Sequence, residues 1–430
     1  MFEIVAYVLG IALRLGSNLI LTRLLLPEAF GLMAMLTTVS FVLWMLSEVG
    51  LSEAVVMSPN GDSLKFLNTV FSLQALRGVF LWTSASLLAW PMSLFFKAPE
   101  LVWIIPIGSA ATLIHGLAST RIYSLRRHVR PLPTLSLEFS GAVVGMLVNV
   151  TGAWLGFGVK ALVASLLANA VWFVFGSHFL LPGTYRNSFR INPDARREIL
   201  HFGRWIFFSS VLTAVAARGD QVLLGRLIGA TGLGIYNIAL ALAEMPDALV
   251  GRVVSGAVYP TLARVHNSDP KSFADVYYRM RLWMDPLGQI GIGALIGLSG
   301  WLIALLYPDR YQGAALMLRI LAVRTSVQLV VHFCEICFVA QGQSQFSFRR
   351  NLAVSVMLLI AMPVGSAIGG VNGVLWGSVA ARATALIALW PEARRRGFLR
   401  LSRELLALPY LAIGYGIGYC LSEVLPTKFW

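Results

Sequence analysis

The sequence predicts an all-α protein that lives inside a lipid bilayer, with about thirteen transmembrane helices. Three observations predict it. Apolar residues make up 57% of the 430-residue chain and charged residues only 13%, against roughly 45–50% and 25% in soluble domains. The mean hydropathy is +0.74, more apolar surface than one buried core can use. The apolar residues arrive in runs of about twenty, the length that crosses a hydrocarbon layer, and short basic segments separate them.

In chain order the runs predict helices over residues 4–25, 30–56, 67–96, 101–123, 134–157, 160–182, 204–228, 233–262, 282–306, 314–340, 352–370, 373–391 and 405–425. Spanning strands alternate apolar and polar residues over about ten positions, whereas these runs are continuous and longer, so helices are the reading. The first run follows Met1 without a basic leader or a small-residue cleavage site, and is read as a retained helix rather than a signal peptide.

Basic residues orient the helices. One alternating set of connections carries 21 Lys and Arg: Lys65, four between Arg121 and Arg130, five between Arg186 and Arg204, four between Arg264 and Arg281, Arg349 and Arg350, and five between Arg394 and Arg403. The other set carries three, Lys97, Lys160 and Arg310. This asymmetry places the first set, and with it the N-terminus, in the cytoplasm. Most of the net charge of +14 is then explained by anionic lipid head groups, without nucleic acid as a partner. The longest connections hold about twenty residues, too few for a soluble catalytic domain. The three cysteines, Cys334, Cys337 and Cys420, lie in apolar runs and form neither a disulfide framework nor a zinc pattern. Cys334 and Cys337 are read as packing residues, and no metal or cofactor is expected.

Sliding the chain against itself by 203 residues aligns Arg23, Leu24 and Gly31 with Arg226, Leu227 and Gly234, and Ser52, Ala54 and Val55 with Ser255, Ala257 and Val258. The offset covers six predicted helices, an even number, so the copies run in the same direction. That is the arrangement of transporters made of two parallel bundles, in which the substrate path lies between halves that rock against each other. The expected division is an N-terminal six-helix bundle over 1–183, a basic cytoplasmic linker over 184–203, and a C-terminal six-helix bundle over 204–391. A basic loop with an extra helix follows over 392–430.

Two blocks carry a family resemblance. The run from Asn18 through Arg23, Pro27 and Glu28 to Gly31, followed by Gly50, Leu51, Ser52, Ala54 and Val55, is similar to the start of the Wzx-type polysaccharide-transporter flippases. So is Asp220-Gln-Val-Leu-Leu-Gly225-Arg226, with Gly234, Tyr236, Tyr259 and Pro260 after it. The likeness spans about residues 10–390. It implies the exporter-superfamily flippase fold, two six-helix bundles around a central cavity, in a bacterial inner-membrane protein. It also implies movement of a polyprenyl-pyrophosphate-linked saccharide to the outer leaflet for O-antigen, capsule or exopolysaccharide synthesis. The expected partners are that glycan lipid, membrane lipids and polysaccharide polymerase and export proteins, with the protein itself monomeric.

Charges within the runs mark candidate site residues, because an ionised side chain at a helix centre costs about 2.5–3.5 kcal/mol on the insertion scale. Arg23, Arg226 and Arg252 are near enough to helix ends to snorkel. Arg14, Arg77, Arg218, Arg319, Arg324 and Arg382 lie deeper and are read as lining a wet cavity. Arg324, Gln328, His332 and Glu335 fall at i, i+4, i+8 and i+11, one stripe of a helix. Arg14, Asn18 and Thr22 form a second stripe, and Thr112, His115 and Ser119 a third. A guanidinium meets phosphate with paired, charge-assisted hydrogen bonds, which suits an anionic head group. The competing reading is hydrogen bonding between helices that only fixes packing. Among the acids, Glu244 and Asp247 share a helix face and are candidates for a coupling ion, with Asp220 and Glu335 as further candidates; alternatively Asp220, Glu244 and Asp247 neutralise nearby arginines such as Arg218 and Arg252.

No GxxxxGK[ST] phosphate loop occurs, so an ion gradient or the membrane potential is the expected driver. An integral-membrane glycan polymerase, ligase or acyltransferase would need catalytic groups on a sizeable loop. A cation-coupled drug exporter of the same superfamily would have an acid-rich cavity.

Overall fold

A computed structural model describes residues 2–183, 185–343 and 345–425. The described residues contain helices and no strands, and each of the thirteen predicted runs lies largely in helix. Nine helices among them are long and apolar enough to cross a bilayer, and two of these are of double length. By contact the chain divides into two compact units. One runs to Ala214 and takes in Gly229–Gly234; the other comprises Val215–Ile228 and the residues from Ile235 onward.

The first unit begins with α1 (Phe2–Leu24) and α2 (Pro27–Leu46), continues through α3 (Leu51–Met57), α4 (Leu64–Phe96), α5 (Leu101–His115) and α6 (Arg121–Arg127), and closes with α7 (Leu132–Trp154) and α8 (Val159–Phe179). Small residues set the helix spacing, because water-driven burial is weak in lipid and close backbone approach must supply the attraction. A Cβ on Gly78 of α4 would stand 3.0 Å from the carbonyl oxygen of Thr112 on α5. Gly108 of α5 instead makes room for the Leu36 side chain of α2, and Gly176 of α8 for the Leu137 side chain of α7.

Two predicted runs are broken in this unit. The run 30–56 stops at Leu46 and restarts at Leu51, because Gly50 takes a left-handed conformation (φ 64°, ψ 41°) that only glycine adopts without cost. The run 101–123 ends at His115, and a turn leads to α6. Hydropathy continues through both breaks and does not report them.

The predicted linker is held by hydrogen bonds. Its first half lies on the first unit: the backbone N–H of Ser188 donates to Asn68 and that of Asn192 to Thr69, while Ser72 donates to the Arg190 carbonyl. Arg121 donates to the carbonyls of His178, Leu181 and Tyr185, and Asn187 bonds to Ser119 and Thr120. From Pro193 the chain is already helical.

That helix, α9 (Pro193–Ala243), replaces the predicted gap between 228 and 233 with a turn of the backbone at Gly229 (φ 66°, ψ −172°). There follow α10 (Met245–Val253), a π-helical turn over Val254–Val258 and α11 (Tyr259–Ser268). The second unit then carries α12 (Phe273–Leu306), α13 (Ala314–Ala340), α14 (Gln345–Arg395), α15 (Leu401–Glu404) and α16 (Ala407–Val424). α14 is a hairpin in effect. Its helical angles fail at Gly369 and Gly370, and the chain folds back so that Gly373 packs on Gly365 and Gly377 on Ala361. Gly293 and Gly297 of α12 likewise bring that helix against Gly414 and Gly418 of α16. Pro246 lies in the first turn of α10, whereas Pro286 and Pro363 are carried inside helices.

Candidate functional site

The stripe predicted on the tenth run organises the second unit. On α13, Gln328, His332 and Glu335 are half-buried while Leu329, Val331, Phe333, Cys334 and Cys337 beside them are buried, so one edge of the helix is accessible and polar. Arg324 stands at the head of that edge and is buried.

Arg324 is held between two carboxylates. Its Nη1 donates to Asp220 Oδ2 at 2.7 Å and its Nη2 to Glu244 Oε1 at 3.1 Å. Asp220, from the second half of α9, also accepts from the Tyr236 hydroxyl at 2.6 Å and from the Gln221 backbone N–H at 2.8 Å. Tyr236 is fully buried. A carboxylate with three donors, one of them a guanidinium, can stay charged out of water, where an unpaired one could not. Glu244 differs from Asp220 because 58% of its side chain is exposed, which makes it the accessible member of the group.

Further cations surround this centre. Arg382 of α14 donates to the Ala216 carbonyl at 3.1 Å and lies within electrostatic reach of Arg324, Asp220 and Glu244. Glu244 is also within reach of Arg218. Arg218 and Arg382 are therefore two further guanidiniums within electrostatic reach of the acids that hold Arg324. Lower on the stripe, His332 Nδ1 lies 3.6 Å from Asp247 Oδ1, and Gly251 leaves room for the ring, since a Cβ there would stand 3.1 Å from Cε1. Glu335 pairs with Arg350 of α14.

The other predicted residues lie elsewhere. Arg319 is exposed on α13 and donates to Ser299 of α12 at 2.7 Å. In the first unit, Arg14 is exposed, Asn18 is half-buried and Thr22 is buried with its hydroxyl on the Leu19 carbonyl. Arg77 grips the break after α2: it donates to Ser47 at 2.9 Å, to the Trp44 carbonyl at 2.8 Å and to Glu48 at 3.0 Å. Thr112 bonds back to Ser109, His115 packs on Phe173 and Ser119 serves the linker. All three of these are occupied with packing or loop contacts. Sequence reasoning did not find the part played by Tyr236, or that of Arg121, which it counted only as a loop cation. Tyr236 stood in a block singled out for resemblance, but nothing in spacing ties it to Asp220 across Gly229.

A family model described as polysaccharide biosynthesis protein matches residues 20–284. The chain belongs to that family. Among its relatives, the lipopolysaccharide biosynthesis protein WzxC of Escherichia coli is 22% identical over 87% of this chain and 75% of its own length. The succinoglycan biosynthesis transport protein ExoT of Rhizobium meliloti is 26% identical over 59% of this chain and 51% of its own. Among solved structures, the lipid II flippase MurJ in an inward closed conformation aligns with a TM-score of 0.76 at 14% identity, covering 99% of this chain and 94% of that one. An inward-facing multidrug resistance MATE family transporter of the MOP superfamily aligns at 0.70 and 16%, covering 90% and 94%. The polysaccharide family inferred from the two sequence blocks is thereby established, and the fold is that of these flippases and transporters.

Proposed function

We propose that this protein is a flippase, not an enzyme, that carries a polyprenyl-pyrophosphate-linked oligosaccharide from the cytoplasmic to the outer leaflet of the bacterial inner membrane. The observation that carries the proposal is the buried guanidinium of Arg324, held by the accessible Glu244 and with Arg382 close by, in a chain of a polysaccharide biosynthesis family. A pyrophosphate leaving water needs replacement donors, and arginine supplies them in a fork that fits phosphate oxygens. Arg218, Arg324 and Arg382 take the head group, with Gln328 and His332 below them on α13 for sugar hydroxyls.

Binding and release then become an exchange of partners. In the state described, Asp220 and Glu244 occupy the guanidinium of Arg324. An arriving pyrophosphate competes with Glu244, the more exposed of the two, and a cation or proton taken up by the acids Asp220, Glu244, Asp247 and Glu335 favours that exchange. The cycle alternates access to the two sides, the N-terminus stays cytoplasmic, and the protein works as a monomer alongside polymerase and export proteins.

The test is complementation in a strain blocked in export of its surface glycan. Arg382→Ala and Arg324→Ala variants that reach the membrane at wild-type levels are expected to restore less than about a tenth of the polymer. Full restoration by both removes the assignment.

A further inference from the structure

A second buried charge cluster, separate from the Arg324 centre, lies where α15 meets α12. Arg281 of α12 donates from Nε to Asp285 Oδ2 at 2.8 Å and from Nη1 to the Tyr277 hydroxyl at 2.9 Å. Nη1 also donates to Glu404 Oε1 of α15. The Tyr278 hydroxyl stands 2.9 Å from the same glutamate oxygen. Arg281 and Glu404 are each 2% exposed and Asp285 is 5% exposed.

The cluster does not balance. It holds one guanidinium and two carboxyl groups, so with both acids ionised it carries one net negative charge out of water. Each acid gives one oxygen to Arg281. The second oxygens, Asp285 Oδ1 and Glu404 Oε2, find no hydrogen-bond partner among the described residues, and neither does Arg281 Nη2. Tyr277 and Tyr278 are neutral phenols at ordinary pH. The remaining ionisable neighbours lie outside this set of hydrogen bonds. Cys334 and Cys337 on α13 are buried thiols within electrostatic reach of Glu404. Arg400 and Arg403 lie over the Tyr278 ring at 5.8 and 5.4 Å, and Arg400 is engaged by Asp275 at 2.7 Å.

Buried polar atoms left dry cost about 1–3 kcal/mol each, more when charged, and an unbalanced buried charge costs several. A proton on either carboxyl group removes the net charge and turns one idle acceptor into a donor. We propose that Asp285 and Glu404 share one bound proton over Arg281, forming a proton-binding site that fastens the segment before α16 to α12. Loss of the proton sets two carboxylates against each other across a single guanidinium and loosens α15. The proposal stands apart from the transport reading, and its test involves no glycan.

The test is infrared spectroscopy of the purified full chain at neutral pH, read in the carbonyl stretch of protonated carboxyl groups. Wild type is expected to show a buried carboxylic-acid band that both Asp285→Asn and Glu404→Gln delete. Either amide leaves one acid, which then ionises against Arg281, so each single change removes the whole band. Glu404→Asp keeps the pair and is expected to shift the band rather than remove it, which holds even if an amide variant fails to fold. A wild-type spectrum indistinguishable from those of the folded variants shows both acids ionised and overturns the proposal.

Discussion

At the scale of single residues, the spacing of Arg324, Gln328, His332 and Glu335 was enough to place them on one polar edge of a helix, and the structure has that edge. Their partners could not be read from spacing. Asp220 lies 104 residues from Arg324, and the two meet only because α9 and α13 belong to one compact unit. Arg77 shows the opposite outcome: its depth in a run suggested a cavity, whereas its guanidinium is taken up by Ser47, Glu48 and the end of α2. The Arg324 pair also carries a stability prediction. Arg324→Ala strands Asp220 without its guanidinium and is expected to cost about 3–5 kcal/mol, as breaking a buried pair does. Asp220→Asn keeps an acceptor for Tyr236 and leaves Arg324 its contact with Glu244, so it is expected to cost less than half as much. Unfolding of the two variants in detergent measures the difference, and equal small shifts would mean that the pair is not sheltered from water.

Among the elements, hydropathy located the apolar runs but not the interruptions inside them, because it reports apolarity and not backbone angles. The internal repeat makes the interruptions intelligible. With the 203-residue offset, the break at Ser47–Gly50 corresponds to positions 250–253, immediately before the π-helical turn at Val254–Val258. The two disturbances are therefore adjacent in the aligned copies and do not coincide, and π-turns are frequent near working sites. The repeat also explains a reciprocal contact within the first unit: Gly31 packs on the backbone of Ala230, and Gly234 packs on that of Pro27. Pro27 and Ala230 are related by the same offset as Gly31 and Gly234. The linker shows what composition alone conceals. Its arginines mark a basic linker and say nothing of its backbone, which is fastened by Asn68, Thr69 and Arg121. Arg121→Ala removes the donors that hold the carbonyls of His178, Leu181 and Tyr185, and amides of residues 185–192 are expected to exchange with deuterium at least about tenfold faster. Unchanged exchange would mean that Asn68 and Thr69 suffice.

For the molecule as a whole, fold and family were the most readable features, since twenty-residue apolar runs, alternating basic loops and two blocks of family resemblance act over long stretches of chain and tolerate local error. The site was readable only in part, because a charge inside a run announces itself without naming its partner. Function follows from the combination: a polysaccharide biosynthesis family, a flippase and transporter fold, and a guanidinium-rich centre on one half of the chain. Initial flipping rate, measured with a lipid-linked oligosaccharide in vesicles containing the purified chain, tests this combination most directly. Wild type is expected to move the lipid faster than protein-free vesicles do, and Arg382→Ala to slow it at least about tenfold, equivalent to about 1.4 kcal/mol of lost stabilisation. A wild-type rate no faster than bare lipid, or an Arg382→Ala rate equal to wild type, would contradict it.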